Sequence, residues 1–291
     1  MLISAALLTG LGLGSMYGLL ALGFHVTYAV SNTVNFAQGA TMMLGAVLCF
    51  TFWVTLDWPL TIAVLLALVA CAGWGAFVEQ VAVRPFMRQG SNAWLMATVA
   101  LGIVLENIIL FTFGKDPRGM PLGSLTTQSV TIAGLKVQFL QILIPAVGLS
   151  LALALHLFFQ RSRHGKALRA VVQNVSAAQL MGIDVERVTT LSFALSGLLA
   201  GVAGIMVAPL FTISSSMGTL FGIKAFAVAI LGGIASAWGV VLAGLVYGLG
   251  EALITALLGS TYTQIASFAL VILSLAVMPN GLFGRAEARK V

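Results

Sequence analysis

The sequence predicts an all-α, polytopic membrane protein, and its composition and the length of its apolar runs carry this prediction. Of the 291 residues, 60% are hydrophobic and 8% are charged, whereas ordinary soluble domains contain roughly 25% charged residues. A soluble fold of this size would lack the charges that its exterior needs. Because backbone amides must be paired inside hydrocarbon, continuous apolar runs of about 20 residues predict spanning helices and exclude the alternating strands of a β-barrel.

The apolar runs predict eight or nine spans in one transmembrane domain that covers residues 1–291. The seventh run is short and interrupted by glycines, which predicts a re-entrant or broken helix near 221–239. The predicted spans are 2–28, 35–56, 60–82, 93–113, 139–159, 190–211, 221–236, 238–258 and 261–279.

Basic residues between the runs predict the orientation. Most of the fourteen lysines and arginines fall in three segments on one side of the predicted bundle, which the positive-inside rule makes cytoplasmic. We therefore expect a multi-pass membrane protein, surrounded by lipid, with the N-terminus outside and the C-terminus cytoplasmic. The net charge of +6 then reflects topology, and no nucleic-acid partner is expected. The basic residues of the three segments are Arg84, Arg88, Arg161, Arg163, Lys166, Arg169, Arg187, Arg285, Arg289 and Lys290.

Two linkers are long enough to have structure of their own. The extracytoplasmic loop at about 114–138 contains two β-prone stretches, which predict a small hairpin over 128–138. The cytoplasmic linker at about 160–189 has apolar residues at helical spacing, which predict a short surface helix at about 166–181. Gly182 is a natural stop for this helix, and Asp184 is placed to cap the next one.

Catalytic motifs are missing from the sequence. It has no G-x-x-x-x-G-K-[ST] phosphate loop, and its three histidines do not form a zinc-binding pattern. We therefore expect no catalytic residues, no metal site and no cofactor bound by this chain.

Acidic residues inside the predicted spans are candidates for a solute path. A charge near the bilayer centre costs about 2.5–3.5 kcal/mol on insertion scales, so such residues usually face the protein interior or a wet cavity. Glu106, with Asn107 beside it, lies in the fourth span and Glu251 in the eighth. Either they line the path or they pair with a neighbouring span and lock the packing. Glu79 lies close to Arg84, which predicts an interfacial ion pair.

Two further groups of polar residues are open to the same alternatives. Asn35 and Gln38 follow the first span; they either bind the solute or cap the second helix, with Gln38 at the capping-box position. Lys224 lies in the glycine-interrupted segment, where it either attracts a carboxylate or extends its amine to the membrane interface.

The cytoplasmic linker carries a resemblance to a known class. Permeases of ATP-binding cassette (ABC) importers present a glutamate, two alanines, three variable residues and a glycine to their ATPase. Residues 176–182, SAAQLMG, have the same spacing, with serine in place of the acid. With its flanks, GKALRAVVQNVSAAQLMGIDVERV and SFALSGLLAGVAG, this segment resembles the branched-chain amino acid permease family. The resemblance extends over nearly the whole chain through GSMYGLLALGFHVTYAVSNTVNFAQGATMMLGA, VEQVAVRPFMR and GIKAFAVAILGGIASAWGVVLAGLVYGLGE.

The resemblance implies a permease subunit that moves branched-chain amino acids or a similar small polar solute by alternating access. Its implied partners are a second, related permease, two cytoplasmic ATPases that bind ATP and Mg, and an extracytoplasmic solute-binding protein. The residues that it places at the ATPase contact are Arg169, Ser176, Ala177, Ala178 and Gly182. The alternatives are an ion-coupled secondary transporter or channel, and a membrane scaffold that transports nothing.

Overall fold

The computed structural model describes residues 2–121, 129–132, 135–277 and 281–282, and it confirms a polytopic helical bundle. The helices are α1 Leu2–Ser31, α2 Gln38–Phe50, α3 Leu60–Val78, α4 Arg84–Arg88, α5 Trp94–Phe113, α6 Phe139–Arg161, α7 Arg163–Gln173, α8 Val175–Leu180, α9 Val185–Val207, α10 Met217–Gly232, α11 Ala237–Leu258 and α12 Ser260–Val277. A π-helical turn, Thr51–Thr55, extends α2, and a second, Glu79–Val83, joins α3 to α4.

The hairpin predicted over 128–138 is present as two antiparallel strands, β1 Ser129–Ile132 and β2 Leu135–Gln138. Ser129 pairs with Gln138 and Ile132 with Leu135. The predicted tip, Ala133–Gly134, lies outside the described residues, as do the basic tail residues Arg285, Arg289 and Lys290.

Seven of the described helices are long and apolar enough to cross a membrane. The predicted short seventh span corresponds to α10, which has 16 residues and is about 24 Å long, less than the roughly 30 Å of a hydrocarbon core. It ends at Gly232, and the next helix begins at Ala237 after a turn in which Gly233 has a φ of +78°. The interruption predicted near 221–239 is therefore this turn between two helices, and a count of eight or nine spans remains a prediction.

Two of the three basic segments share one side of the bundle. Arg84 and Arg88 form the first basic segment, and both donate to the Glu186 carboxylate. Glu186 lies at the start of α9, within the second basic linker at about 160–189. On the opposite side, the backbone of Arg118 pairs with that of Ile213. The structure therefore agrees with a common side for the two linkers, as the charge pattern predicts.

Glycines allow α1 and α11 to pack with their backbones in contact. A Cβ atom on Gly14 would lie 2.7 Å from Leu245 Cα, and one on Gly10 would lie 2.9 Å from Leu249 Cα. In lipid no hydrophobic force brings helices together, so their association depends on close van der Waals packing of this kind. The pair forms the centre of the bundle, and the middle of α1 is almost completely buried.

Gly14→Val is expected to force α1 and α11 apart and to lower the free energy of unfolding by about 1–3 kcal/mol, as overpacking of a core does. Thermal unfolding in detergent micelles measures this. Gly73→Val is the matched control, because no described atom lies within 4 Å of a Cβ at Gly73. Equal losses in the two variants would refute the packing role of Gly14.

The start of α2 lies inside the bundle and not at its surface. After α1 ends, Asn32 adopts a φ of +54° and the chain turns back. The Gln38 side chain then lies against Gly23, which precedes the end of α1 by eight residues, about 12 Å along the helix. The first turn of α2 is therefore held inside the bundle, beside the middle part of α1.

Candidate translocation path and coupling surface

Asn35 and Gln38 tie the start of α2 to its neighbours. Gln38 Nε2 donates to the Ser196 carbonyl at 3.0 Å, and Ser196 Oγ lies 2.8 Å from Gln38 Oε1, to which it donates. Asn35 Oδ1 accepts from the Ala37 amide at 3.0 Å. No described side chain caps α2, whose N-cap residue is Ala37. The capping-box prediction for Gln38 is wrong because its amide reaches across to α9 instead of back along its own helix.

Lys224 and Glu251 form a buried ion pair between α10 and α11. Their Nζ and Oε1 atoms are 2.5 Å apart, and the two side chains are 5% and 9% exposed. Lys224 Nζ also lies 3.5 Å from the Tyr17 hydroxyl of α1. The interface prediction for Lys224 is wrong because α10 begins at Met217, which places the lysine in the middle of the helix. For Glu251, the structure favours the packing alternative.

A cavity of about 260 Å³ lies between α1, α2, α5 and α10, and Glu106 lies in its wall. Glu106 Oε1 accepts from Thr219 Oγ1 at 2.5 Å. Asn107 does not line this cavity; its side chain donates to the Ile103 carbonyl of its own helix and is exposed. The cavity lining consists of Phe24, Phe36, Gly39, Ala40, Val99, Gly102, Ile103, Glu106, Gly218, Thr219, Gly222, Ile223 and Phe226.

The predicted ion pair between Glu79 and Arg84 is confirmed. Arg84 Nη2 lies 2.8 Å from Glu79 Oε2, and the carboxylate is 2% exposed while the guanidinium is 26% exposed. Thr190 of α9 adds a hydrogen bond to the same carboxylate at 2.9 Å. Because Thr190 belongs to α9, this hydrogen bond ties the π-helical turn after α3 to α9 and stabilises the packing there.

The predicted helix at about 166–181 is two helices, α7 and α8. Asn174 separates them with extended backbone, and its Oδ1 accepts from the Ala177 amide at 3.0 Å, which caps α8. The other boundary predictions are confirmed: Gly182 ends the segment with a φ of +80°, and Asp184 Oδ1 accepts from the Arg187 amide at 3.1 Å at the start of α9. A single helix was predicted because the capping role of Asn174 was missed.

The α7–α8 segment has an inner and an outer side. Ala178 is 3% exposed and packs with Val30, Leu168, Val171 and Val188 in a small apolar cluster. The other residues predicted for the ATPase contact are exposed: Arg169, Ser176, Ala177 and Gly182. Leu180 and Met181, which are not among the residues predicted for this contact, are 89% and 83% exposed. Two apolar residues directly before the helix stop at Gly182 are the sequence signal that could have indicated an exposed apolar surface here.

A family profile described as the permease component of the branched-chain amino acid transport system matches residues 6–275. The chain belongs to this family. Three relatives are similar over almost their whole length. The branched-chain amino acid permease LivH of Salmonella typhimurium is 34% identical, with 97% of this chain and 96% of the relative covered. BraD of Pseudomonas aeruginosa is 31% identical, with coverages of 98% and 97%. A probable LivH of Methanocaldococcus jannaschii is 32% identical, with coverages of 91% and 88%.

Membership in the branched-chain amino acid permease family confirms the resemblance seen in the sequence. The chain is the permease subunit of an ABC importer and a multi-pass membrane protein. The buried polar network and the α7–α8 segment described above are therefore parts of a transporter.

Proposed function

We propose that this permease carries branched-chain amino acids through the bacterial cytoplasmic membrane by alternating access, driven by two partner ATPases that bind ATP and Mg. The names of the LivH and BraD relatives support the solute. The N-terminus would lie outside and the C-terminus in the cytoplasm, and a solute-binding protein would deliver the amino acid to the outer face. Residues 1–291 would act as one transmembrane domain.

The α7–α8 segment is the observation that carries the ATP-driven part of this proposal. Its inner side is packed into the bundle through Ala178, so a movement of the segment would be passed on to the spans. Its outer end presents Leu180 and Met181 to the surroundings, and exposed apolar groups at the polar end of a membrane protein mark a protein contact. In this proposal Leu180 and Met181 enter a cleft of the ATPase beside Ser176, Ala177 and Gly182, and Arg169 meets acidic groups there.

A second, related permease would cover the face formed by α5 and α10. Glu106 lies near the middle of α5 and is partly exposed there, next to exposed Ile103 and Ile223. An acid that faced lipid at this depth would cost about 2.5–3.5 kcal/mol. A second permease that covers this face, with a water-filled path beside Glu106, would remove that cost.

The polar residues predicted for the path divide into two roles in this proposal. Glu106 faces the solute. Lys224 and Glu251 hold α10 against α11, and Asn35 and Gln38 hold the start of α2, so that both elements keep their shape as the path opens. Asn107, on the exposed face of α5, would lie at the second permease.

Co-expression tests the proposed assembly. The chain is expected to purify with the second permease and the two ATPases, and amino-acid-loaded binding protein is expected to stimulate ATP hydrolysis by the complex severalfold. The control is the same complex with unloaded binding protein. The proposal would be refuted if the chain purified without the other subunits and its addition left the activity of the ATPases unchanged.

A further inference from the structure

In the part of the chain that the structure describes, Glu106 differs from the other acids of the spans in having no cation beside it. Glu79 is paired with Arg84 and Glu251 with Lys224. Among the described residues, the only hydrogen bond of the Glu106 carboxylate is the one from Thr219 to Oε1, and its Oε2 atom has no partner. An ionisable side chain near the bilayer centre usually pairs with another polar group or lines the path of a solute or ion. A group that pairs with the Glu106 carboxylate would be a hydrogen-bond donor with positive charge.

The cavity around Glu106 has the composition of a small-molecule site. Such sites are mainly apolar and aromatic, with a few polar groups that orient the ligand. Phe24, Phe36 and Phe226 supply aromatic surface, and Glu106 and Thr219 are the lining residues with polar side chains. One acidic position in an apolar cavity suits a solute with one ammonium group and a hydrocarbon side chain.

The start of α2 forms another part of the cavity wall. Gly39 and Ala40, in the first turn of α2, line it. The first amides of a helix have no partner within the helix, and its N-terminus has a partial positive charge that favours anions. Gly222 allows the backbone of α10 to pack directly against this turn, since a Cβ at Gly222 would lie 3.0 Å from Gly39 Cα.

We infer that this cavity holds the transported amino acid, with the ammonium group bound by Glu106 Oε2 and Thr219 Oγ1. The inference rests on the proposed function and adds to it the residue that selects for an α-amino group. The hydrocarbon side chain of the solute packs against the three phenylalanines. The Thr219 hydroxyl holds the carboxylate of Glu106 in place and accepts a hydrogen bond from the ammonium group.

Uptake of labelled leucine by the complete transporter in proteoliposomes tests the role of the charge. Glu106→Gln keeps an acceptor for Thr219 but loses the charge, so uptake is expected to fall by about 10- to 100-fold, as for loss of a charged hydrogen bond. Glu106→Asp keeps the charge and is expected to retain more uptake than Glu106→Gln. Asp57→Asn is the matched control: it removes the same charge from an exposed position with a φ of +52°, which asparagine tolerates.

Cysteine protection in the same complete transporter tests where the amino acid binds. Ile223→Cys places a thiol in the cavity wall, whereas the native Cys49 and Cys71 are buried. Leucine and 3-methylbutan-1-amine are expected to slow the reaction of this thiol with a maleimide, and 4-methylpentanoate, which has no amine, is expected to be much less effective. With Glu106→Gln the protection by the amine is expected to disappear.

Three results would count against the proposals in different ways. Wild-type uptake rates with Glu106→Gln would overturn the assignment of the ammonium site. Loss of the second permease from the purified Glu106→Gln complex would show that Glu106 pairs with a cation of that subunit, which also overturns it. Absence of leucine uptake by the unchanged transporter, with an intact complex, would refute the proposed solute.

Discussion

Lys224→Met is expected to lower the free energy of unfolding by about 3–5 kcal/mol, because it leaves the Glu251 carboxylate buried without its cation. The pair is almost inaccessible to solvent and joins α10 to α11, so local relaxation cannot easily bring water to the remaining charge. Thermal unfolding in detergent micelles measures the loss. Glu251→Gln is expected to destabilise the protein in the same way, since it leaves the buried ammonium group beside Tyr17 without a negative charge to balance it.

The double variant separates the charge effect from the packing effect. Replacing a whole buried ion pair by apolar residues of similar volume is often neutral for stability. Lys224→Met with Glu251→Leu is therefore expected to recover most of the stability that either single replacement removes. Additive losses in the double variant would show that the two side chains act independently, contrary to the contact between them.

Replacing Leu180 and Met181 together by serine is expected to weaken ATPase binding by about tenfold or more, the effect of removing a hot-spot pair from a protein interface. Both side chains are more than four-fifths exposed, so the fold itself loses little. Binding of the purified ATPase to the permease pair measures the loss, and leucine uptake should fall with it.

Met87→Ser is the control for this experiment. Met87 is also an exposed apolar residue, in α4 on the same side of the bundle, but it lies outside the α7–α8 segment. It is expected to leave ATPase binding nearly unchanged. If the Met87 variant and the Leu180–Met181 variant weaken binding equally, the coupling surface does not lie at the α8 terminus.

Local sequence signals predicted most of the helices. Lipid requires long apolar runs, so the spans are visible in the composition of each segment, and Gly182 and Asp184 mark a helix boundary through their own backbone chemistry. The break at Asn174 was missed because asparagine is also tolerated inside helices, and only the extended backbone there makes it a cap. Helix α10 begins at Met217, four residues before the predicted start at 221. The prediction therefore placed Lys224 too close to the membrane interface.

The site was less predictable because its contacts join distant parts of the chain. Gln38 and Ser196 are 158 positions apart, and Lys224 and Glu251 are 27 apart. Periodicity places each residue on its own helix but does not say which neighbour it meets. The candidates Glu106 and Glu251 were both visible as acids within apolar runs, yet only the packing shows that one has a cation beside it.

Leucine uptake into proteoliposomes tests the central claim, ATP-driven import through this permease, most directly. The vesicles contain the complete transporter with ATP and Mg at the ATPase side and loaded binding protein at the other, and the comparison is a transporter whose ATPases bind but cannot hydrolyse ATP. We expect accumulation of leucine with active ATPases and almost none with inactive ones. Equal accumulation in both, driven by an imposed ion gradient, would contradict the account and identify an ion-coupled secondary transporter.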